Sequence, residues 1–286
     1  MKAVVTGSSG FIGTHLCKAL REKGWGVVEV DIEKGIDVRD VKVLDQAFKG
    51  ADYVFHLAAL PRVQYSIENP AETHEINVSG TLNVLLAARN AGVKKVIYSA
   101  SSSAYGDQDT MPLKEDMPAR PQSPYALHKY MGEHYCRVFS EIYGLPTVSL
   151  RYFNVYGPGA SAEGAYALVI ARFLQQRIEG KPMTITGDGT QTRDFTHVYD
   201  VVKANLLAAE SEKVGKGEVI NIGVGKNASV NRVAELIGGP VEHVPARLEP
   251  HDTLADNSLA KKLLGWQPNV SLEDGIAELK KLAGLV

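Results

Sequence analysis

The chain has 286 residues, 44% of them apolar, and carries 31 Lys and Arg against 33 Asp and Glu for a formal charge of −2. That length closes a full hydrophobic core in one large or two small domains, and the balanced charge without a basic run excludes a phosphate-backbone footprint, so nucleic acid is not an expected partner. No run approaches the ~18 apolar residues of a membrane span, and Cys17 and Cys136, isolated in helical patterns, build neither a disulfide framework nor a metal site.

Met1-Lys2 passes directly into a strand pattern with no signal-peptide pattern, which reads as a cytoplasmic protein. Residues 2–6 are a short apolar run ending in Gly7-Ser-Ser-Gly10-Phe-Ile-Gly13, after which Leu16 and Leu20 continue at helical spacing. Strand, glycine turn and helix in that order bring backbone N–H groups and a helix N-terminus against a pyrophosphate, where only glycine lets the backbone approach closely. A second strand, 26–30, ends at Asp31, 18 residues after Gly13. A carboxylate there accepts from a ribose 2′-OH and repels a 2′-phosphate, which points to NAD rather than NADP. The glycine motif alone would serve equally as a structural turn; its setting makes it a nucleotide site.

Asp37-Val38-Arg39-Asp40 leads into a helical segment to Gly50, and residues 51–56 read as the third strand. That strand runs into Leu57-Ala58-Ala59, whose small residues would let a cofactor lie over the strand end. His56, flanking an apolar strand, reads as a packed core histidine rather than an acid or base. Residues 70–91 carry a long helical pattern that includes Asn77, and 93–98 make the fourth strand. Ser101-Ser102-Ser103 leave its carboxyl end, where ligands sit in open parallel sheets.

Ser123-Pro124 is an N-cap followed by proline at the first helical position, so Tyr125 opens a helix toward Tyr143. Tyr125 and Lys129 then share one face. An ammonium beside a phenol favours the phenolate and lowers the tyrosine from its usual ~10, which makes a general base. Alone, such a pair is an ordinary surface contact; the serines 22 to 24 residues upstream and the glycine turn give it a catalytic setting. With the strand at 147–152, four strand–helix repeats imply an α/β fold, a Rossmann-type doubly wound parallel sheet. Beyond Phe153-Asn154 a Gly-rich loop, 157–164, marks a boundary. A helix over 166–178, a Gly187-Asp-Gly189 turn, a helix near 197–210 and a C-terminal helix over 271–283 follow. The expected organisation is a nucleotide-binding domain over 1–154, joined by roughly 194–222, and a smaller, discontinuous α/β substrate-binding region over 155–286.

These segments together resemble the extended short-chain dehydrogenase/reductase family and, within it, the NAD-dependent UDP-sugar 4-epimerases. The resemblance spans nearly the whole chain: Thr6-Gly7 to Gly13, Phe55 to Ala59, Asn77 to Thr81, Ser101 to Gly106, Ser123 to Lys129, Arg151 to Pro158, Gly187 to Asp200, Ala255 to Ser258 and Leu264 to Pro268. It implies NAD contacts at Gly7, Gly10, Phe11, Ile12, Gly13, Asp31, Ile32, Asp37, Val38, Leu57, Ala58, Ala59, Asn77, Ser99, Tyr125, Lys129 and Tyr152. It implies catalysis by Ser101, Tyr125 and Lys129, with Tyr125 the base, and no metal. Nucleotide-sugar contacts are implied at Ser101, Ser102, Ser103, Tyr125, Asn154, Ala167, Leu168, Arg172, Arg193, Arg247 and Glu249, with Arg193 and Arg247 on the diphosphate, which an arginine fork suits. A homodimer through a four-helix bundle of the helices near 70–91 and 124–143 is implied as well.

Dehydrating relatives carry an Asp-Glu pair in the serine loop and decarboxylating ones a glutamate. Ala100-Ser-Ser-Ser-Ala104 has no carboxylate, which favours plain epimerisation. UDP-glucose/galactose and UDP-N-acetylhexosamines are the expected substrates, the latter suggested by the small Thr253. Uronate 4-epimerisation, another NDP-sugar dehydratase or reductase, and a non-catalytic NAD sensor or scaffold are the rival readings. The segment Arg247-Leu-Glu249-Pro-His251-Asp252 is one residue shorter than in many relatives.

Overall fold

The computed structural model describes residues 1–162, 168–245 and 251–285. Six parallel strands form the central sheet: β1 (Lys2–Thr6), β2 (Gly26–Val30), β3 (Tyr53–His56), β4 (Lys95–Ser101), β5 (Thr147–Tyr152) and β10 (Lys216–Ile222). Their spatial order is β10-β5-β4-β3-β1-β2, so the winding reverses between β1 and β3, and a crevice opens there at the carboxyl ends. Register levels those ends: Thr6 lies opposite both Val30 and His56, and Ser101 opposite Tyr152.

The strands are apolar at successive positions because both faces are covered. On β1, Ala3 and Val5 face one core with Leu16, Leu20, Val201 and Ala208, while Val4 faces the other with Leu44, Phe48, Leu85 and Phe139. The helices are α1 (Phe11–Glu22), α2 (Val41–Ala47), α3 (Val63–Glu68), α4 (Pro70–His74), α5 (Gly80–Ala91), α6 (Pro124–Tyr143), α7 (Val169–Ile178), α8 (Val198–Glu210), α9 (Val230–Ile237), α10 (Ser258–Leu264) and α11 (Leu272–Leu282). The pattern over 70–91 is one helical run whose α4 and α5 are joined by a π turn, Glu75–Ser79, and Asn77 sits in that turn.

Short strands β6 (Val155–Tyr156), β7 (Met183–Thr186), β8 (Thr192–Arg193), β9 (Thr196–His197), β11 (Ala228–Ser229) and β12 (Val241–Val244) pair as β6-β9, β7-β12 and β8-β11. A separate core of Phe173, Ile185, Val233, Ile237 and Ile276 knits α7, α9, α11 and β7 together. The chain returns to the first core more than once. Besides α8 and β10, Ala260, Leu264 and Trp266 pack there, and the Trp266 indole donates to the Asp200 carbonyl at 2.9 Å. A buried lysine closes α8: Lys95 on β4 donates to the carbonyls of Ala208, Ala209 and Ser211 at 3.0, 3.3 and 2.6 Å, satisfying orphan acceptors at the helix end.

Candidate active site

A cleft of about 1820 Å³ crosses the carboxyl ends of β1 to β5 and continues toward α7 and the 191–195 segment. One ligand occupies roughly 300–1,000 Å³, so the cleft has room for two molecules end to end.

At the β1 end the glycine turn is shaped for close approach. Gly7 has φ +69°, and a Cβ there would stand 2.7 Å from the Ala58 nitrogen, where the loop after β3 meets the turn. A Cβ on Gly13 would overlap the Gly7 carbonyl oxygen. Helix α1 starts from Gly10 with no side-chain cap, so its first N–H groups are left for a ligand in the cleft. Asp31, at the end of β2, accepts from Ser9 N at 2.9 Å with one oxygen and from Glu33 N at 3.0 Å with the other. Its carboxylate is thereby pinned at the rim with lone pairs still open to a hydroxyl donor. Turn, bare helix N-terminus and pinned carboxylate fit a dinucleotide.

The loop after β3 is held from beneath. His56 is buried between Thr6 Oγ1 at 2.7 Å and Thr81 Oγ1 at 2.9 Å, and burial pushes its pKa down to about 3, so it stays neutral as a packed residue. Thr6 Oγ1 also accepts from Ala58 N at 3.2 Å. All the expected NAD contacts line the cleft except Asn77. The Asn77 amide bonds the Leu60 backbone, accepting at 2.8 Å and donating at 3.1 Å, and so holds the loop that lines the cleft.

The groups expected to carry the chemistry meet at the centre. Ser123 caps α6 through Ala126 N at 3.2 Å, with Pro124 next, and Tyr125 and Lys129 share the face toward β4. Ser101 ends β4, and its hydroxyl oxygen accepts from the Ser103 N–H at 3.2 Å and the Ser103 hydroxyl at 2.8 Å. The expected electrostatics require correction. The Lys129 ammonium is aimed at the Ser99 carbonyl, 2.8 Å away, and lies 5.1 Å from the centre of the Tyr98 ring. Burial lowers Lys129 to about 8. The Tyr125 phenol is pushed up by burial, against which a hydrogen bond with Ser101 works. Among the protein's own groups, burial is the larger influence on Tyr125 and the Ser101 hydrogen bond the smaller, opposing one.

Further along, Tyr152 hydrogen-bonds Ser99 Oγ at 3.1 Å and the Asn205 amide, orienting the ring beneath the cleft. Asn154 adopts φ +28° and donates to the Asp194 carbonyl and Thr253 Oγ1, each at 3.1 Å. Ser102, Ser103, Leu168, Arg172, Arg193 and Thr253 all line this end. The arginines are engaged with backbone: Arg172 donates to Thr184 O at 2.8 Å, Arg193 to Thr192 O and His251 O at 2.9 Å. Ala167, Arg247 and Glu249 lie outside the described residues.

Three features escaped the sequence. Asp194, fully buried, accepts from Val224, Gly225 and Ala255 N–H groups at 2.7–3.1 Å and ties three segments together; burial raises it to about 6. Arg151 and Glu133 form a buried bidentate pair at 2.8 and 2.7 Å, and Arg151 stacks on Tyr105 of the serine turn. Ser66 accepts from the Tyr125 backbone N–H. Asp194 and Arg151 lie inside segments of the resemblance, which name no partner for either; Ser66 carries no local signal.

The family model for the NAD dependent epimerase/dehydratase family matches residues 3–223. A UDP-glucose 4-epimerase of Mycolicibacterium smegmatis is 36% identical over 307 residues, covering 97% of both chains. Among solved structures, the UDP-N-acetylglucosamine 4-epimerase from Methanobrevibacter ruminantium in complex with UDP-N-acetylmuramic acid superposes with a TM-score of 0.91 at 35% identity, covering 98% of each chain. The Thermus thermophilus UDP-glucose 4-epimerase in complex with NAD gives 0.87 at 33%, covering 96% of each. With its glycine turn, Asp31 and the Tyr125/Lys129 helix set around one cleft, the chain belongs to the NAD-dependent epimerase/dehydratase family.

Proposed function

We propose that the protein inverts C4 of a UDP-hexose through a transient 4-keto sugar. The observation that carries this reading is the meeting of Tyr125, Ser101 and Lys129 midway along a cleft long enough for a dinucleotide and a nucleotide sugar, beside a serine turn without a carboxylate. NAD, when bound by Gly7 to Gly13, Asp31 and the loop after β3, supplies the acceptor and later the donor of the C4 hydride. Tyr125 takes the 4-OH proton, relayed by Ser101, and returns it after the sugar has turned. Lys129 is an ammonium below about pH 8 and favours the tyrosinate during that exchange. Arg172, Arg193 and Asn154 hold the nucleotide end while the sugar rotates, with the arginines exchanging backbone carbonyls for phosphate oxygens.

UDP-glucose/galactose and UDP-N-acetylglucosamine/galactosamine are the substrates favoured. Thr253, small and beside Asn154 in the cleft wall, supports the N-acetylated pair. Uronates are the second reading within the same chemistry. We read the protein as cytoplasmic; among the described residues no helix is long and apolar enough to cross a membrane. It works as a homodimer through α6 and the helical run over 70–91.

The test is a panel of UDP-sugars (glucose, galactose, the two N-acetylhexosamines, the two uronates) incubated with protein and NAD, with products resolved by proton NMR. Interconversion of one C4 pair is expected; six unchanged sugars would refute the reading. Tyr125→Phe is expected to lower turnover by at least ~10²-fold while NAD stays bound. Retained turnover would remove Tyr125 from the mechanism.

A further inference from the structure

Helix α6 begins at Pro124, which has no N–H, so the first orphan donor of the helix is the N–H of Tyr125 itself. The N-cap Ser123 does not serve it, because its oxygen is spent on Ala126 N. The acceptor comes from 59 positions earlier: Ser66 Oγ on α3, 3.0 Å from Tyr125 N. Ser66 is fully buried, and its own hydroxyl proton goes to the Val63 carbonyl at 2.6 Å, which leaves a lone pair directed at α6. The bond is thus defined from both sides.

Helix α3 is itself tied to the nucleotide end of the cleft. Val63 and Ile67 line the cleft, and the loop entering α3 is fixed through Leu60 to Asn77 and through Ala58 to Thr6. One short helix therefore touches both the cofactor crevice and the backbone of the base. We propose that Ser66 is a positioning residue for Tyr125, fastening the first turn of α6 to α3 and so setting where the phenol stands against Ser101. The inference rests on Tyr125 being the base. Without the acceptor, the Tyr125 N–H must find water or the turn must shift, and a displacement of ~1 Å at a reacting group costs on the order of 10²-fold in rate.

The experiment is Ser66→Ala in the NAD-loaded protein with the UDP-sugar that proves active. Expected are a kcat lowered ~10- to 100-fold, a KM changed by less than about twofold, and a larger deuterium isotope effect with C4-deuterated substrate as chemistry becomes the slow step. Exchange of the Tyr125 amide with solvent speeds up in the same variant. Thr73→Val is the control: it removes another buried hydroxyl, one that bonds Asn69 and Pro70 carbonyls within α4 and its entry, and should leave kcat and the isotope effect as in wild type. A wild-type kcat and isotope effect in Ser66→Ala, or losses no larger than those of Thr73→Val at equal Tm, would overturn the proposal. Should Ser66→Ala not fold, the wild-type Tyr125 amide decides: protection supports the bond, and exchange at the free-peptide rate refutes it. Failure of the base assignment reads differently, as an active Tyr125→Phe.

Discussion

At the scale of single residues, the site stores its charge in an unfavourable place. Lys129 is buried against the Ser99 carbonyl and the Tyr98 ring, and desolvation brings it to about 8 from an ordinary 10.5. The carbonyl and the ring face offset part of the lost hydration, the latter as a cation–π contact. A lysine whose folded pKa is depressed opposes folding wherever it must be charged: fully below about 8, progressively less up to 10.5, and not at all above. Lys129→Met is therefore expected to raise Tm by a few degrees at pH 7, to lose that advantage as pH rises toward 10.5, and to abolish turnover; a lowered Tm at pH 7 would contradict the burial argument.

At the scale of elements, α6 is shaped around what lies beneath it. A glycine inside a helix costs about 1 kcal/mol relative to alanine, yet Gly132 sits in the middle of α6. A Cβ there would overlap the Tyr98 hydroxyl, and Tyr98 is the ring under Lys129. Gly132→Ala is expected to destabilise by about 1–3 kcal/mol despite the better propensity, read as a lowered denaturant midpoint. Adding Tyr98→Phe should recover only part, because the ring carbons stand within 3 Å as well. The same helix is anchored at its start by Ser66 and along its length by the Glu133–Arg151 pair. That buried pair gives no net stability by default; it fixes α6 to β5 and, through the Tyr105 stack, to the serine turn.

At the scale of the molecule, α6 leaves an apolar stripe uncovered. Leu127, Met131, Val138 and Ile142 recur at helical spacing along one side, and Leu127, Val138 and Ile142 are 44%, 42% and 69% exposed. Paired stripes are what the proposed four-helix interface needs. Val138→Asp with Ile142→Glu is expected to convert the proposed dimer to a 31.0 kDa species in sedimentation velocity. A wild-type chain that already sediments at that mass would remove the dimer. What the sequence determined by itself were the features governed by short-range rules. The Gly7 turn, the Ser123-Pro124 start of α6, the four-residue step from Tyr125 to Lys129 and the packed His56 all follow from backbone sterics, capping and periodicity within a few residues. Tertiary structure alone decided which distant groups became partners. Ser66 meets Tyr125 across 59 positions, Arg151 reaches Glu133, and Lys129 donates to the Ser99 carbonyl. Asn77 meets Leu60 from a π turn that no local pattern announces. These depend on strand order and register, which place chain segments side by side only once the whole sheet has closed. Desolvation, which raises Tyr125 and lowers Lys129, likewise exists only after the core has formed around them.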